Sequence, residues 1–187
     1  MPSSRDRMIE AAIDLLRGYG LSGAGINDIV RESAAPKGSV YHFFPGGKLQ
    51  IADEALRSYV PQVEAFMAQA MVGQRSNPAR VKALFEAFAK RVEGAAFRRS
   101  CPIGTVCLDL ADDVEPLRDT LVHALQSWTR VLASHIDLGD ARRTRSFAGF
   151  VLTAIEGAYV RARAERSGAP FREAGRWLAD CVAGGER

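Results

Sequence analysis

Residues 37–44, Lys-Gly-Ser-Val-Tyr-His-Phe-Phe, place the tightest constraint on the fold, because they can form only about two turns of helix between two prolines. A helix this short lies well below the roughly 12 residues at which isolated helices become marginally stable in water, so neighbouring elements must hold it. Val40 and Phe44 are four residues apart and can form its buried side. The side chains predicted to point outward are those of Lys37, Ser39, Tyr41 and His42.

A second amphipathic helix precedes this segment, because Ile26, Ile29 and Val30 recur at helical spacing. The connection from Ser33 to Pro36 is short. Two helices joined by a short turn, the second showing polar and basic groups, form the helix-turn-helix arrangement that places its second helix in the major groove of DNA. We therefore expect Lys37 and Lys48 to contact phosphates, Ser39, Tyr41 and His42 to contact base edges, and Gly38 to permit close approach of the backbone.

The run from Arg5 to Lys48 resembles the amino-terminal DNA-binding domain of the TetR family of transcriptional regulators. The matching pieces are a helix closed by Gly18-Tyr19-Gly20, the helix containing Ile29, and the signature of residues 36–45 with Lys48 behind it. The resemblance implies a domain that binds operator DNA as a homodimer and a carboxy-terminal domain that binds a small-molecule inducer.

Three departures from the family pattern lead to specific expectations. No Thr precedes the second helix, so its cap must come from Gly25 or Asn27. Ala34 replaces the turn glycine, and because a side chain resists positive φ, we expect a right-handed path there. Gly46 and Gly47 lengthen the link that follows the short helix, and their two backbone N–H groups could hold a phosphate.

Helical periodicity extends along the rest of the chain. A long helix is predicted over residues 48–72. Shorter helices are predicted after it: one capped by Asn77 with Pro78 at its first position, one over residues 105–111 behind a loop at residues 101–104, one from Pro116, one capped by Asp140 and one from Pro170. The predicted fold class is all-α with about nine helices. A three-helix head at residues 1–48 would be joined through the helix over 48–72 to a larger ligand-binding and dimerisation domain at residues 49–187.

Pro61 lies inside the predicted long helix. An interior proline removes one backbone hydrogen bond and costs about 3 kcal/mol, so we expect a kink or break near Tyr59 and Val60. An accommodated bend is the simpler interpretation. The alternative is a hinge through which ligand binding moves the DNA-binding head.

Composition excludes several classes of protein. The chain has 187 residues, of which 47% are hydrophobic and 25% charged, as in ordinary soluble domains. No apolar run approaches the roughly 18 residues that span a bilayer, so we expect a cytoplasmic protein that contacts no membrane. Three cysteines without metal-like spacing argue against a zinc site, and no cofactor is predicted.

Charge and motifs add two further limits. Residues 1–50 contain six Lys or Arg and five Asp or Glu, and the whole chain is only +3, so net charge does not by itself indicate a nucleic-acid binder. No Gly-rich phosphate loop beside a strand and no Ser-His-Asp or Cys-His set is present, so an enzyme is not expected.

Two larger sets of apolar residues are candidates for other sites. An apolar, aromatic effector pocket among the central helices would be lined by Phe66, Phe85, Phe88, Cys107, Leu110, Leu125, Trp128 and Phe150, and a plain hydrophobic core explains these residues equally well. A four-helix dimer contact between the last two helices of two copies would use Val151, Ala154, Ile155, Ala158, Tyr159, Trp177, Leu178 and Cys181, with packing inside one copy as the alternative.

The sequence thus predicts a ligand-responsive transcriptional regulator. Its partners would be double-stranded operator DNA, a small-molecule effector and a second copy of itself. We expect a repressor that a hydrophobic or aromatic effector releases from DNA. The alternative is a helical ligand-binding or protein-interaction module whose helix-turn-helix does not act on DNA.

Overall fold

The backbone is helical throughout, in agreement with the predicted all-α class. The structure, a computed structural model, describes residues 2–109 and 112–183. Within these residues it has nine α-helices, two short 3₁₀ segments (Lys37–Ser39 and Asp112–Leu117) and no strand. The α-helices are α1 (Ser4–Gly23), α2 (Ile26–Ser33), α3 (Val40–Phe43), α4 (Gly47–Met71), α5 (Asn77–Gly94), α6 (Pro102–Cys107), α7 (Arg118–His135), α8 (Ala141–Glu165) and α9 (Ala169–Ala183).

The start of α1 follows from its sequence. The hydroxyl of Ser3 accepts the N–H of Asp6 at 3.1 Å, and the Asp6 carboxylate accepts the N–H of Ser3 at 3.0 Å. This reciprocal capping box satisfies two amides that the helix itself leaves free. Hydrogen bonding of the Asp6 carboxylate by the side chain and by the backbone N–H of Ser3 lowers the pKa of Asp6 below its ordinary value.

The helices predicted to start at Thr105, Pro116 and Pro170 start at Pro102, Arg118 and Ala169 in the structure. The sequence Cys101–Gly104 was expected to be a loop before a helix at residues 105–111, but α6 already begins at Pro102. Proline is well suited to a first helical position, because its ring fixes φ near the helical value and no N–H is needed there. The cap of α5 is Ser76 rather than Asn77. The Asn77 side chain instead donates to the carbonyl oxygen of Asp137, in the segment before α8.

Pro61 does not break α4. The helix runs from Gly47 to Met71 with Pro61 inside it, so the chain does not break at Tyr59 and Val60, and the kink expected there stays a prediction. The chain nevertheless divides into two compact units immediately after Pro61. The first contains the described residues of Met1–Pro61 and Cys101–Ala124, and the second those of Gln62–Ser100 and Leu125–Arg187.

In the first unit, α1 packs against α2 and α6. Met8 and Leu16 of α1 and Ile29 of α2 are buried. The hydroxyl of Thr105 in α6 donates to the carbonyl oxygen of Leu16 at 2.7 Å, which fixes α6 to α1. This packing gives the short elements between Ala34 and Gly47 a rigid support.

In the second unit, α5 and α9 form the most extensive helix pair. A Cβ on Gly175 would lie 2.6 Å from the Cβ of Phe85, so only glycine allows the two helices to approach this closely. Arg172 of α9 bonds both Glu86 and Glu93 of α5, at 2.8 and 2.7 Å. Within the residues that the structure describes, no helix has the length and apolar character needed to cross a membrane.

Candidate nucleic-acid interface

The segment predicted to read DNA is a 3₁₀ turn followed by one turn of α-helix. Val40 and Phe44 are both 0% exposed, as the spacing predicts, and the Arg5 guanidinium lies 5.5 Å from the centre of the Phe44 ring. The segment is therefore anchored from behind by apolar and cation–π contacts. On the other side Lys37, Gly38 and His42 are exposed, Tyr41 is 64% exposed, and Ser39 is half-buried.

The turn before this segment corrects one prediction. Ala34 has φ 49° and ψ 32°, the left-handed conformation, so the expected right-handed path is wrong. A left-handed residue at this position ends α2 and turns the chain toward the recognition segment, at a steric cost for alanine. The end of α2 is also held from outside, because Nε of Arg7 donates to the carbonyl oxygen of Ser33 at 3.0 Å.

The cap of α2 agrees with one of the two expected residues. Gly25 occupies the capping position in an extended conformation, and no side chain caps the helix. Asp28 lies in the first turn of this helix, where its negative charge interacts favourably with the positive end of the helix dipole and stabilises the helix.

The start of α4 corrects a second prediction, because the amides of Gly46 and Gly47 are not free for a phosphate. The N–H of Gly46 donates to Oε1 of Gln50 at 2.8 Å, and the N–H of Gly47 donates to the carbonyl oxygen of Phe44 at 2.9 Å. Gly47 has φ +65°, which explains the need for glycine at that position. Phosphate contact at this helix start must come from other groups, of which the Lys48 ammonium is the nearest in sequence.

A chain of side-chain bonds supports the start of α4 from behind. Nε2 of Gln50 donates to Glu54 at 2.9 Å, and the other carboxylate oxygen of Glu54 pairs with Arg5 of α1. The charge of Arg5 is thus paired with a carboxylate of the same chain. Lys37 and Lys48, in contrast, form no ion pair in the described part of the chain, and their charges are available to a polyanion.

Gly38 is unusual among the glycines of this unit. A Cβ placed on it would have no protein atom within 4 Å, and its φ lies outside the left-handed region. Neither packing nor backbone conformation within the chain therefore requires glycine there. A side chain at position 38 would therefore meet no clash inside the protein.

Two of the predicted effector residues, Phe66 and Phe88, belong to a cluster of aromatic rings. Phe88 lies at ring-centroid distances of 5.0 Å from Phe66 and 5.9 Å from both Tyr159 and Phe171, so these rings pack on one another. The Arg91 guanidinium covers the Phe66 ring at 4.6 Å. Of the predicted set, Phe85, Phe88 and Trp128 are buried, Phe66 and Leu125 are half-buried, Cys107 and Phe150 are exposed, and Leu110 lies outside the described residues.

A groove of about 440 Å³ lies elsewhere, in the first unit, and contains none of the predicted effector residues. Its walls come from α1 and α4 and are largely charged, with Arg5 and Glu54 among them. No group of three His, Cys, Asp or Glu in the described residues is arranged to hold a metal ion.

The residues predicted for a dimer contact fall into two groups. Val151, Ile155, Ala158, Tyr159 and Leu178 are buried inside a single copy of the chain, Ala154 is half-buried, and Trp177 and Cys181 are exposed, Trp177 by 74%. The buried members therefore pack in the interior of the second unit. The surface that α8 and α9 leave open includes Trp177 and Cys181 and also other positions, among them Phe150 and Val160 at 59% and 62% exposure.

Sequence reasoning missed the residues that hold the interface in place. Arg7 bonds the end of α2, and Gln50 and Glu54 support the start of α4. Gln50 lies four residues after Gly46, a spacing at which a side chain can reach back to a free amide, so a local signal existed for it. Nothing in the local sequence of Arg7 indicates its contact with Ser33, which lies 26 residues away.

Comparison with known proteins agrees with this architecture. A family model described as "Bacterial regulatory proteins, tetR family" matches residues 8–55, and one described as "Transcriptional regulator LmrA/YxaF-like, C-terminal domain" matches residues 78–177. The uncharacterised HTH-type transcriptional regulator YxaF of Bacillus subtilis is 34% identical over 70% of this chain and 68% of its own length. LmrA, an HTH-type transcriptional regulator of the same organism, is 30% identical over 68% of each chain.

Solved structures share the fold at lower identity. A regulatory protein TetR from Rhodobacter sphaeroides superposes with a TM-score of 0.84 at 22% identity, covering 95% of this chain and 97% of that one. The TetR family regulator CifR, solved as a cysteine mutant with 26-bp double-strand operator DNA, superposes with a TM-score of 0.78 at 21% identity, covering 96% and 98%.

Proposed function

The chain belongs to the TetR family of bacterial transcriptional regulators and is a DNA-binding regulator, and from this premise we propose that it is a repressor that a small hydrophobic or aromatic effector releases from its operator. The proposal assigns operator binding to residues 1–48, and effector binding and dimerisation to residues 49–187. The observation that carries it is Tyr41, 64% exposed on a short segment whose opposite side chains are completely buried. A solvent-exposed tyrosine on a segment whose backbone is held by buried residues is well suited to an interface, since it offers a large apolar contact area and a hydroxyl that can form hydrogen bonds.

Different residues of the interface have different proposed roles. Lys37 and Lys48 would contact phosphates, which sets affinity and orientation but carries no sequence information. Ser39, Tyr41 and His42 would contact base edges in the major groove, where each base pair presents a distinct pattern of donors, acceptors and methyl groups.

The DNA-binding role is tested with fluorescence anisotropy on the intergenic DNA beside the gene. Tyr41→Ala should weaken specific binding by about 1–3 kcal/mol, the value of one good base contact, and leave binding to unrelated DNA nearly unchanged. Tyr19→Ala is the matched control, because Tyr19 is a similarly exposed tyrosine on α1, 70% exposed, outside the interface. A wild-type protein that bound neither promoter nor unrelated DNA would favour a helical module that does not act on DNA.

Gly38 offers a second test of the same interface. Gly38→Ala should leave thermal stability unchanged or slightly higher, because a Cβ there meets no protein atom within 4 Å. If the backbone approaches DNA closely, the same change should weaken operator binding by about tenfold or more, equal to about 1.4 kcal/mol. Gly94→Ala on α5 is the control, because a Cβ there also meets no protein atom within 4 Å. Equal operator affinity for both variants would remove Gly38 from the interface.

We assign dimerisation to the exposed faces of α8 and α9. A self-complementary contact between two copies would double the length of DNA read, since one short helix contacts few base pairs and paired heads reach two half-sites. Gly157 is exposed and meets no side chain of its own copy, so another backbone could come close. The exposed stripe on α8, spaced by three and four residues, is Phe150, Thr153, Gly157, Val160 and Ala164.

Sedimentation velocity tests this assignment. Val160→Asp should weaken self-association by at least about tenfold, because it places like charges against each other across a two-fold axis in an apolar contact. Gln126→Asp, on the exposed surface of α7, should sediment like the wild type. A Val160→Asp protein that remained fully dimeric would place the contact on another face.

The effector is proposed to bind the second unit beside the aromatic cluster of Phe66, Phe88, Tyr159 and Phe171. These side chains supply an apolar, aromatic environment, and their rings would have to separate to admit a ligand. A ligand that binds the separated arrangement better than the packed one shifts the population of the protein, and operator affinity falls if that arrangement holds the heads differently.

Single-ring and two-ring aromatic compounds, titrated against the preformed protein–DNA complex, test the effector assignment. A matching compound should lower the anisotropy of labelled DNA. Phe66→Ala should raise the concentration needed for half release without changing operator affinity, whereas Tyr19→Ala should leave both values unchanged. Release that did not depend on Phe66 would place the effector elsewhere.

A further inference from the structure

Asp109 follows α6, and its carboxylate faces a break in α1. Gly20 interrupts α1 with φ 69° and ψ −171°, and the helix resumes over residues 21–23. A helical turn that begins after a break has amide groups without intrahelical acceptors. Oδ2 of Asp109 accepts the N–H of Leu21 and, at 3.2 Å, the N–H of Ser22, while Oδ1 accepts the Ser22 hydroxyl at 2.9 Å.

Asp109 therefore acts as the cap of this turn, although it lies 88 residues from Leu21 in the sequence. The break itself is shaped around the carboxylate. A Cβ at position 20 would lie 2.8 Å from Oδ2 of Asp109, and the left-handed φ disfavours any side chain there in addition. On the other side of the break, the Thr105 hydroxyl donates to the carbonyl oxygen of Leu16 at 2.7 Å. Thr105 and Asp109 therefore hold the two sides of Gly20.

The capped turn leads directly into the helix-turn-helix. Leu21 is 1% exposed, and the N–H of Ala24 donates back to its carbonyl oxygen at 3.2 Å. Gly25 then caps α2. Leu21 and Ala24 border the same small void of about 10 Å³ as Ile29 of α2. The position of Leu21 thus determines where α2 begins and how it lies against α1.

We propose that Asp109 is a positioning residue for DNA binding: its carboxylate fixes the turn at residues 21–23 and, through that turn, the placement of α2 and of the recognition segment at residues 37–44. Asp109 itself does not contact DNA in this arrangement. The inference rests on the proposed role of residues 37–48 in operator binding.

Charge gives the proposal a sharp test, because removing an acidic side chain from a DNA-binding unit should by itself tighten binding to a polyanion. Asp109→Ala should instead weaken operator binding by about five- to tenfold, which corresponds to the loss of a helix cap. Asp109→Asn also loses the charge but keeps an oxygen for the amides, so it should bind close to the wild type. Glu10→Ala is the control, because Glu10 is an exposed carboxylate on α1 of the same unit, and it should bind as tightly as the wild type or more tightly.

Amide hydrogen exchange provides a readout that does not depend on DNA. The amides of Leu21 and Ser22 should exchange at least about fivefold faster in Asp109→Ala than in the wild type, and at the wild-type rate in Glu10→Ala. If Asp109→Ala folds poorly, Ser22→Ala removes only the hydroxyl bond and should weaken operator binding by about two- to threefold.

Three results would overturn the proposal. The first is an Asp109→Ala protein that binds operator as Glu10→Ala does. The second is equal weakening in the alanine and asparagine variants, which would show that an oxygen able to accept the amides of residues 21 and 22 is not what operator binding depends on. The third is unchanged exchange at residues 21 and 22. A wild-type protein that bound no DNA would instead refute the proposed function, and the exchange result would still show whether Asp109 holds the turn.

Discussion

Ala34, the left-handed alanine between α2 and the recognition segment, allows a quantitative test of the turn. Its φ of 49° costs an L-residue with a Cβ about 1–2 kcal/mol, and glycine avoids that cost. Glycine also makes the unfolded chain more flexible, which costs about 0.4–1 kcal/mol. Because Ala34 is exposed, Ala34→Gly loses little apolar burial. The difference of the two central values is a stabilisation of about 0.8 kcal/mol, or roughly 2–3 °C in Tm for a chain of this size.

Urea unfolding followed by circular dichroism measures this change, with operator affinity as a second readout. Ala65→Gly is the control, because Ala65 is an exposed alanine in the interior of α4, and there glycine should destabilise by about 0.5–1 kcal/mol. Operator affinity should not change in Ala34→Gly, since glycine adopts the same backbone conformation. Equal destabilisation in both variants would show that Ala34 is not held in the left-handed region, and the account of this turn would fail.

Three further predictions concern other parts of the chain. Lys48→Ala should reduce the slope of log affinity against log salt by about 0.9 and weaken operator and unrelated DNA alike; an unchanged slope would mean that Lys48 touches no phosphate. If Pro61 is a hinge, Pro61→Ala should change the effector response or operator affinity, and a variant identical to the wild type in both would exclude that role. Arg172 lowers the pKa of Glu86 and Glu93 below the ordinary 4.5 by hydrogen bonding, so the stability it confers is complete above that value and is lost as pH falls through the lowered pKa values. Arg172→Leu should therefore be less stable than the wild type at pH 7, by about 1 kcal/mol or less per ion pair, since these side chains are 37–40% exposed. Chemical denaturation at several pH values should show this difference in unfolding free energy shrinking below pH 4.5. A difference that stays constant with pH would contradict the assignment.

Local signals in the sequence were sufficient for some of the features that depend on neighbouring residues. The capping box of Ser3 and Asp6 and the buried pair Val40 and Phe44 follow from spacings of three and four residues, and the structure contains both. The conformation of Ala34 could not be predicted in this way, because intrinsic preference favours a right-handed alanine. At Ala34 the structure departs from that local preference.

Periodicity identified apolar faces but not what covers them. Val151 and Ile155 have the spacing of a buried stripe, and the structure buries them inside one copy, whereas Trp177 remains 74% exposed. A sequence pattern carries the same signal for a core and for a contact between copies, since both remove apolar surface from water. No local pattern in the sequence indicated the capping role of Asp109, because its hydrogen-bond partners lie 87 and 88 residues away.

The division of labour within residues 37–44 has a consequence for how such a regulator can acquire new targets. The side chains that hold the segment, Val40 and Phe44, are separate from those that face outward, of which Tyr41 and His42 are exposed. Exchanging the outward residues therefore removes little buried surface and should cost little in folding free energy. A change of preferred operator can arise from one or two substitutions in this segment while the scaffold keeps its stability.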